Sequence, residues 1–139
     1  MSRMKQFWVH IEPRACMRAR ARVIQRKGGK AFATFYDPKQ NQDYKAEVKE
    51  QVALFMRGEP LYSGNLHLEL IFDLKRPKAL KGNPPHQTKP DVDNLAKIVL
   101  DACNGLMYHD DKEITSLTII KRYAMLDEPL GFWLKISEG

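Results

Sequence analysis

Between residues 66 and 104 the spacing of apolar side chains changes period, and that change constrains the fold more than any other feature of the chain. Leu66–Leu74, LHLELIFDL, alternates as a half-buried strand does, because successive side chains of a strand point to opposite faces. Val92–Asn104 instead places Leu95, Ile98, Val99 and Ala102 on one face of a helix, and Asn104-Gly105 is a good helix stop. Between them lies Lys75–Lys89, a loop with three prolines, one glycine, the basic residues Lys75, Arg76, Lys78, Lys81 and Lys89, and no acid. A loop of this length inside a small domain is usually functional or mobile.

The flanking segments extend the pattern. Gln6–Ile11 (QFWVHI) reads as a strand ended by Pro13, and Arg14–Lys30 as an irregular basic segment with a turn at Gly28-Gly29. Lys30–Tyr36 forms a short strand before Asp37-Pro38. From Lys39 to Met56 the recurrence of Tyr44, Val48, Val52 and Phe55 predicts an amphipathic helix, ended near Gly58 and Pro60. Ile114–Tyr123 and Phe132–Ile136 read as two strands joined as a hairpin through Asp127–Gly131. The predicted fold is α+β: one small domain over residues 1–139, a mixed sheet with two main helices in the order β-β-α-β-α-β-β.

Composition excludes several classes. At 43% hydrophobic and 29% charged the chain is ordinary for a globular protein. No apolar run approaches the roughly 20 residues that span a bilayer, and the opening MSRMKQFWVHIEP lacks a secretory apolar region, so the expectation is a cytoplasmic protein with no membrane partner. Cys16 and Cys103, far apart and without a partner motif, are expected to be reduced thiols. The net charge of +6 is uneven: residues 1–36 carry nine Lys/Arg against Glu12, and the remainder is slightly acidic. Such asymmetry points to a polyanion, nucleic acid or another polyphosphate, although a basic segment that only confers solubility has the same composition.

The chemistry concentrates in Lys89–Glu113, KPDVDNLAKIVLDACNGLMYHDDKE. Asp91 and Asp93 open the helix, whose polar side also carries Asn94, Lys97 and Asp101, and Asp110-Asp111 follow a short turn after it. Carboxylates are the hard oxygen ligands that Mg²⁺ prefers, and a nearby lysine suits a phosphate-bearing substrate. Simpler readings stand beside this one. Asp91 is also a good helix N-cap, Asp93, Lys97 and Asp101 suit an i, i+4 ion-pair ladder, and Asp110-Asp111 suits a turn.

PDVDNLAK followed by LDACNGLMYHDDKEI resembles the signature of the RusA family of Holliday-junction resolvases: a D-x-D-N-x-x-K helix start, then D-A-x-x-G and a hydrophobic-x-D-D before a strand. The likeness is dense over this segment and looser in the N-terminal third, where Arg20-Ala21-Arg22 and Tyr36-Asp37-Pro38 correspond to an Arg-rich segment and a tyrosine-containing turn. Ala21 stands where many members have proline, and Cys103 where a bulkier apolar residue is commoner. The resemblance implies an Mg²⁺-dependent endodeoxyribonuclease (Mn²⁺ as substitute) that resolves four-way junctions by paired symmetric nicks in DNA recombination and repair. It also implies a homodimer, a bacterial or phage setting, Asp91, Asp93 and Asp111 as metal ligands and Lys97 as the essential lysine. Asp110 is the alternative to Asp111.

The basic residues Arg14, Arg18, Arg20 and Arg22, with Arg26, Lys27 and Lys30, are candidates for contact with the DNA backbone, and the loop with Lys75 and Arg76 is a second contact region. Phe7, Trp8 and Phe35 are expected in the core. His10, His67, His86 and His109 have no zinc spacing. His86 is a candidate for phosphate contact, and His109 for a place near the site. Two other functions fit the same residues: a nuclease acting broadly on branched DNA such as flaps and forks, and a junction-binding protein without catalysis.

Overall fold

The computed structural model describes residues 3–17, 20–25, 27–36 and 38–139. In chain order these form β1 (Met4–Val9), β2 (Arg20–Gln25), β3 (Ala31–Tyr36), α1 (Lys39–Phe55), β4 (Leu66–Leu74), α2 (Val92–Cys103), a 3₁₀ turn (Asp111–Glu113), β5 (Ile114–Tyr123) and β6 (Gly131–Glu138). The α+β class, the mixed sheet and the two helices are as expected.

Two features differ from expectation. The segment read as irregular contains β2, which pairs antiparallel with β3 as a separate two-stranded sheet turning at Gly28. Also, β5 and β6 do not form a hairpin. The main sheet runs β1-β6-β4-β5, with β4 between them, antiparallel to β6 and parallel to β5. Parallel strands need a long crossover, and α2 supplies it.

The alternation read in β4 sorts the two faces of the sheet. Leu66, Leu68, Leu70, Phe72 and Leu74 are buried, as are Phe7 and Val9 of β1 and Phe132, Leu134 and Ile136 of β6. These pack with Tyr44, Val48 and Val52 of α1 and with Leu95, Ile98, Val99 and Ala102 of α2 in one core. Each such side chain contributes about 1.5–3 kcal/mol by leaving water, which holds α2 by its apolar stripe and turns its polar side outward. On the opposite face, Trp8, Trp133, Ile71 and Ile120 share one row across all four strands.

Candidate functional site

The crossover fixes where each acidic residue falls. α2 returns from the C-terminal end of β4 to the N-terminal end of β5, so its first turn lies at one edge of the domain and its last turn at the other. At the first turn, the Lys121 ammonium of β5 donates to the carbonyl oxygens of Thr88 and, at 2.8 Å, of Pro90. The Cys16 amide donates to the Asn94 carbonyl oxygen at 3.0 Å. Asn41 in turn grips Met17, accepting from its amide and donating to its carbonyl at 2.9 Å each. The basic segment containing Arg14, which is exposed, is thereby laid across the start of α2.

Asp91 occupies the N-cap position with an extended backbone, yet its side chain makes no capping hydrogen bond. Asp91, Asp93 and Lys97 are all exposed. Among the described residues no ion pair joins Asp93, Lys97 or Asp101, so neither simpler role for these groups, cap or ladder, is realised. This end therefore presents two uncommitted carboxylates and an uncommitted ammonium.

At the last turn the arrangement is tighter. The Asn104 side-chain oxygen accepts from the Asp111 amide at 3.0 Å, and the Tyr108 hydroxyl donates to the Leu100 carbonyl oxygen at 2.9 Å. Asp110 closes a capping box: it accepts from the Lys112 amide at 3.0 Å, while Glu113 accepts from the Asp110 amide at 3.3 Å. That backbone hydrogen bond, followed by one with Asp111, holds the Asp110 carboxyl below its usual range. Asp111 is pushed up, first by its hydrogen bond with Asp110, then by partial burial and by the charges of Asp110 and Asp101. Of the adjacent pair, Asp110 serves the turn, and Asp111 is left among like charges that a cation would relieve.

The two acidic ends are separated by the helix itself. At 1.5 Å per residue, Asp91 and Asp101 stand about 15 Å apart along the axis. Among the described residues no three His, Cys, Asp or Glu side chains gather closely enough to hold one ion. The structure thus brings Asp91 and Asp93 together, and Asp101 with Asp111, but not the two sets within one chain. Each end nevertheless suits Mg²⁺, which commonly takes one or two carboxylates plus waters and phosphate oxygens.

The basic loop is partly committed to structure. Lys75 is exposed. Arg76 instead donates to the carbonyl oxygens of Ala124 (3.0 Å) and Gly82 (2.8 Å) and to Asn83 Oδ1 (2.7 Å), clamping the loop to the β5–β6 connection. His86, a candidate for phosphate contact, is buried, with its ring 4.3 Å from that of Tyr123. His109 is exposed. Phe7 lies in the core as expected, but Trp8 is half-buried on the opposite face. Arg18, Arg26 and Asp37 lie outside the described residues, as do the side chains of Arg20, Arg22 and Phe35.

Two positioning residues escaped the sequence reading. Lys121 shares the inner-face register of Phe72, an unusual place for a lysine and the only hint of its role. Asn104 read simply as a helix stop.

A family model described as Endodeoxyribonuclease RusA matches residues 11–128. The chain is also similar to a protein of Bacillus subtilis (strain 168) named "Uncharacterized protein YqaN", 47% identical over 55 residues. That match covers 40% of the chain and 37% of the relative's length.

Proposed function

This chain belongs to the RusA endodeoxyribonuclease family, and we propose that it is an Mg²⁺-dependent nuclease, Mn²⁺ substituting, that resolves four-way DNA junctions in the cytoplasm of a bacterial cell. The observation that carries the reading is the uncommitted set at the start of α2: Asp91 free of its capping bond and Asp93 and Lys97 free of each other. Asp91, Asp93 and Asp111 would hold the metal. When bound, it would lower the pKa of a water and neutralise phosphate oxygens. Lys97 faces the same solvent and would meet the charge that develops on the phosphate. Arg14 and Lys75, both exposed, would supply phosphate contacts, a role proposed also for Arg18, Arg20 and Arg22.

The separation of the acidic ends supports a homodimer. β5 is an edge strand of ten residues, with Leu117 and Ile120 exposed. Such an edge invites pairing with another chain. Antiparallel pairing with the β5 of a second copy would bring the beginning of one β5 beside the end of the other. Asp111 of one copy would then approach Asp91 and Asp93 at the helix start of its partner. A twofold pair would carry two such sites, as paired symmetric nicks require.

The test is a cleavage assay on a synthetic four-way junction, a fork and linear duplex, with Mg²⁺ and with EDTA. Metal-dependent paired nicks confined to the junction are expected. Equal cutting of forks would replace this reading by a broader branched-DNA nuclease, and binding without cutting under either metal would leave a junction-binding protein.

A further inference from the structure

A cavity of about 750 Å³ opens on the sheet face opposite the helices, at the end of the domain where α2 begins. Trp8, Trp133 and Tyr123 give it aromatic walls, Asp73 and Glu128 give it carboxylates, and Arg122 stands at its side. Its size is within the roughly 300–1,000 Å³ usual for small-molecule sites. None of these residues enters the reaction proposed above.

We infer that this cavity receives an unstacked nucleobase of the junction, close to the strand that is cut. The inference rests on the nuclease reading and extends it to the recognition of bases. The two indoles meet edge to face, with centroids 5.4 Å apart and planes at 64°, so that a planar ring could stack on one and abut the other. Flat aromatic side chains hold unpaired bases by stacking, whatever the base. Carboxylates at the wall accept hydrogen bonds from the amino edges that base pairing otherwise occupies. Asp73 is anchored by Arg122, which fixes its direction.

The wall is shaped for a flat occupant. A Cβ at residue 131 would lie 2.5 Å from both Trp8 Cζ2 and the Val9 carbonyl oxygen, so only a glycine there lets the indole lie against bare backbone. Arg76 bridges the two loops that close the cavity, and the loop that contributes Asn83, Pro84 and Pro85 to its lining also carries exposed Lys75, Lys78, Lys81 and Lys89, cations suited to the phosphates of a bound strand. One strand end links cavity and reaction site: Tyr123 lines the former, and Lys121 holds the backbone that leads into Asp91. An aromatic, proline-flanked groove also fits a proline-rich peptide. The surrounding cations favour DNA.

Trp8 and Trp133 are the only tryptophans in the chain, so its tryptophan fluorescence reports on the cavity alone. The experiment uses the full chain in EDTA, with a four-way junction carrying 2-aminopurine at successive positions around the crossover. At one position the wild-type chain should change the 2-aminopurine emission by at least about two-fold relative to linear duplex, with quenching of tryptophan. Trp133→Leu should lose that signal while weakening junction affinity by no more than about ten-fold, since phosphate contacts carry most of the affinity. Glu128→Gln, on the exposed rim and outside the core, should shift which base is favoured at the cut when cleavage is read in a parallel reaction with Mg²⁺. A chain that binds and cuts junctions with an emission unchanged at every position overturns the base pocket and leaves the nuclease reading intact. So does tryptophan quenching by a polyproline peptide in place of DNA. A chain that neither binds nor cuts junctions overturns both.

Discussion

The Lys121 ammonium and the Pro90 carbonyl oxygen lie 2.8 Å apart, joining the end of β5 to the residue just before the N-cap of α2. The same ammonium also holds Thr88. One half-buried side chain thus sets the approach to the exposed Asp91 and Asp93. Lys121→Met keeps the apolar stem and removes both bonds. It should lower stability by about 1.5–3 kcal/mol, as expected for charged hydrogen bonds, and slow junction cleavage while leaving affinity nearly unchanged. Urea unfolding beside single-turnover cleavage checks both; full-rate cleavage in a destabilised variant would show that the anchor serves the fold alone.

Asp93→Asn should abolish cleavage and leave junction binding largely intact, because it removes a ligand charge and no group that meets DNA; binding lost in parallel would count against that role. Asp111→Asn should behave alike. The mixture of the two is more informative. If Asp111 of one copy serves the helix start of the other, a mixed dimer has one intact and one doubly altered site, and mixing restores nicking of a single strand. Sites contained within single chains would stay dead in the mixture.

Lys97→Met should reduce the cleavage rate by about 10²–10³-fold, the usual loss when one preorganised charge is taken from a transition state. Its side chain is exposed and unpaired, so thermal stability should hold within about 0.5 kcal/mol. Loss of stability with activity would point to a structural role.

Replacing Arg20 and Arg22 by Ala should weaken junction binding and flatten its dependence on salt, by about 0.9 in the logarithmic slope for each phosphate no longer neutralised. Affinities measured at several salt concentrations decide it: an unchanged slope would show that these arginines do not meet phosphate.

His86 predicts a dependence on pH. Burial, and then the Lys121 charge, holds its pKa below the ordinary histidine value near 6.5. The unfolded chain therefore binds this proton more readily than the folded one. The stability is complete above the unfolded pKa and is lost as pH falls from there toward the lowered folded value. His86→Phe keeps a ring against Tyr123 and removes the titration. The urea midpoint of the wild-type chain should fall more than that of the variant between pH 7.5 and about 5.5. Equal falls would place the sensitivity elsewhere, among the carboxylates.

Local periodicity carried much of the fold. The alternation of Leu66–Leu74 and the stripe of Leu95, Ile98, Val99 and Ala102 reflect faces that a strand and a helix must bury, and both elements stand where these patterns placed them. Strand β2 was hidden because its arginines obscure the alternation in RARVIQ. Pairing order is not a local property, so the short connection between Tyr123 and Gly131 suggested a hairpin although β4 lies between the two strands. The candidate site shows the same boundary. The residue types were legible, but whether Asp91 caps the helix was not: only the structure shows its side chain without a capping bond. The distance between the acidic pairs was not, because a helix that flanking residues share also holds them apart by its own length.

The position of β4 bears on when the candidate site is completed. Its two neighbours, β5 and β6, are both made after α2 and the acidic residues around it. A ribosome that has released residues up to 113 has delivered the acidic residues around α2 and Lys97, with β1 to β4, but neither β5, whose Lys121 anchors the approach to Asp91, nor β6. Synthesis runs at about 5–20 residues per second, so a growing chain passes through this stage with the residues of the candidate site and an incomplete sheet. Strand order thus places completion of the candidate site after the synthesis of its own acidic residues.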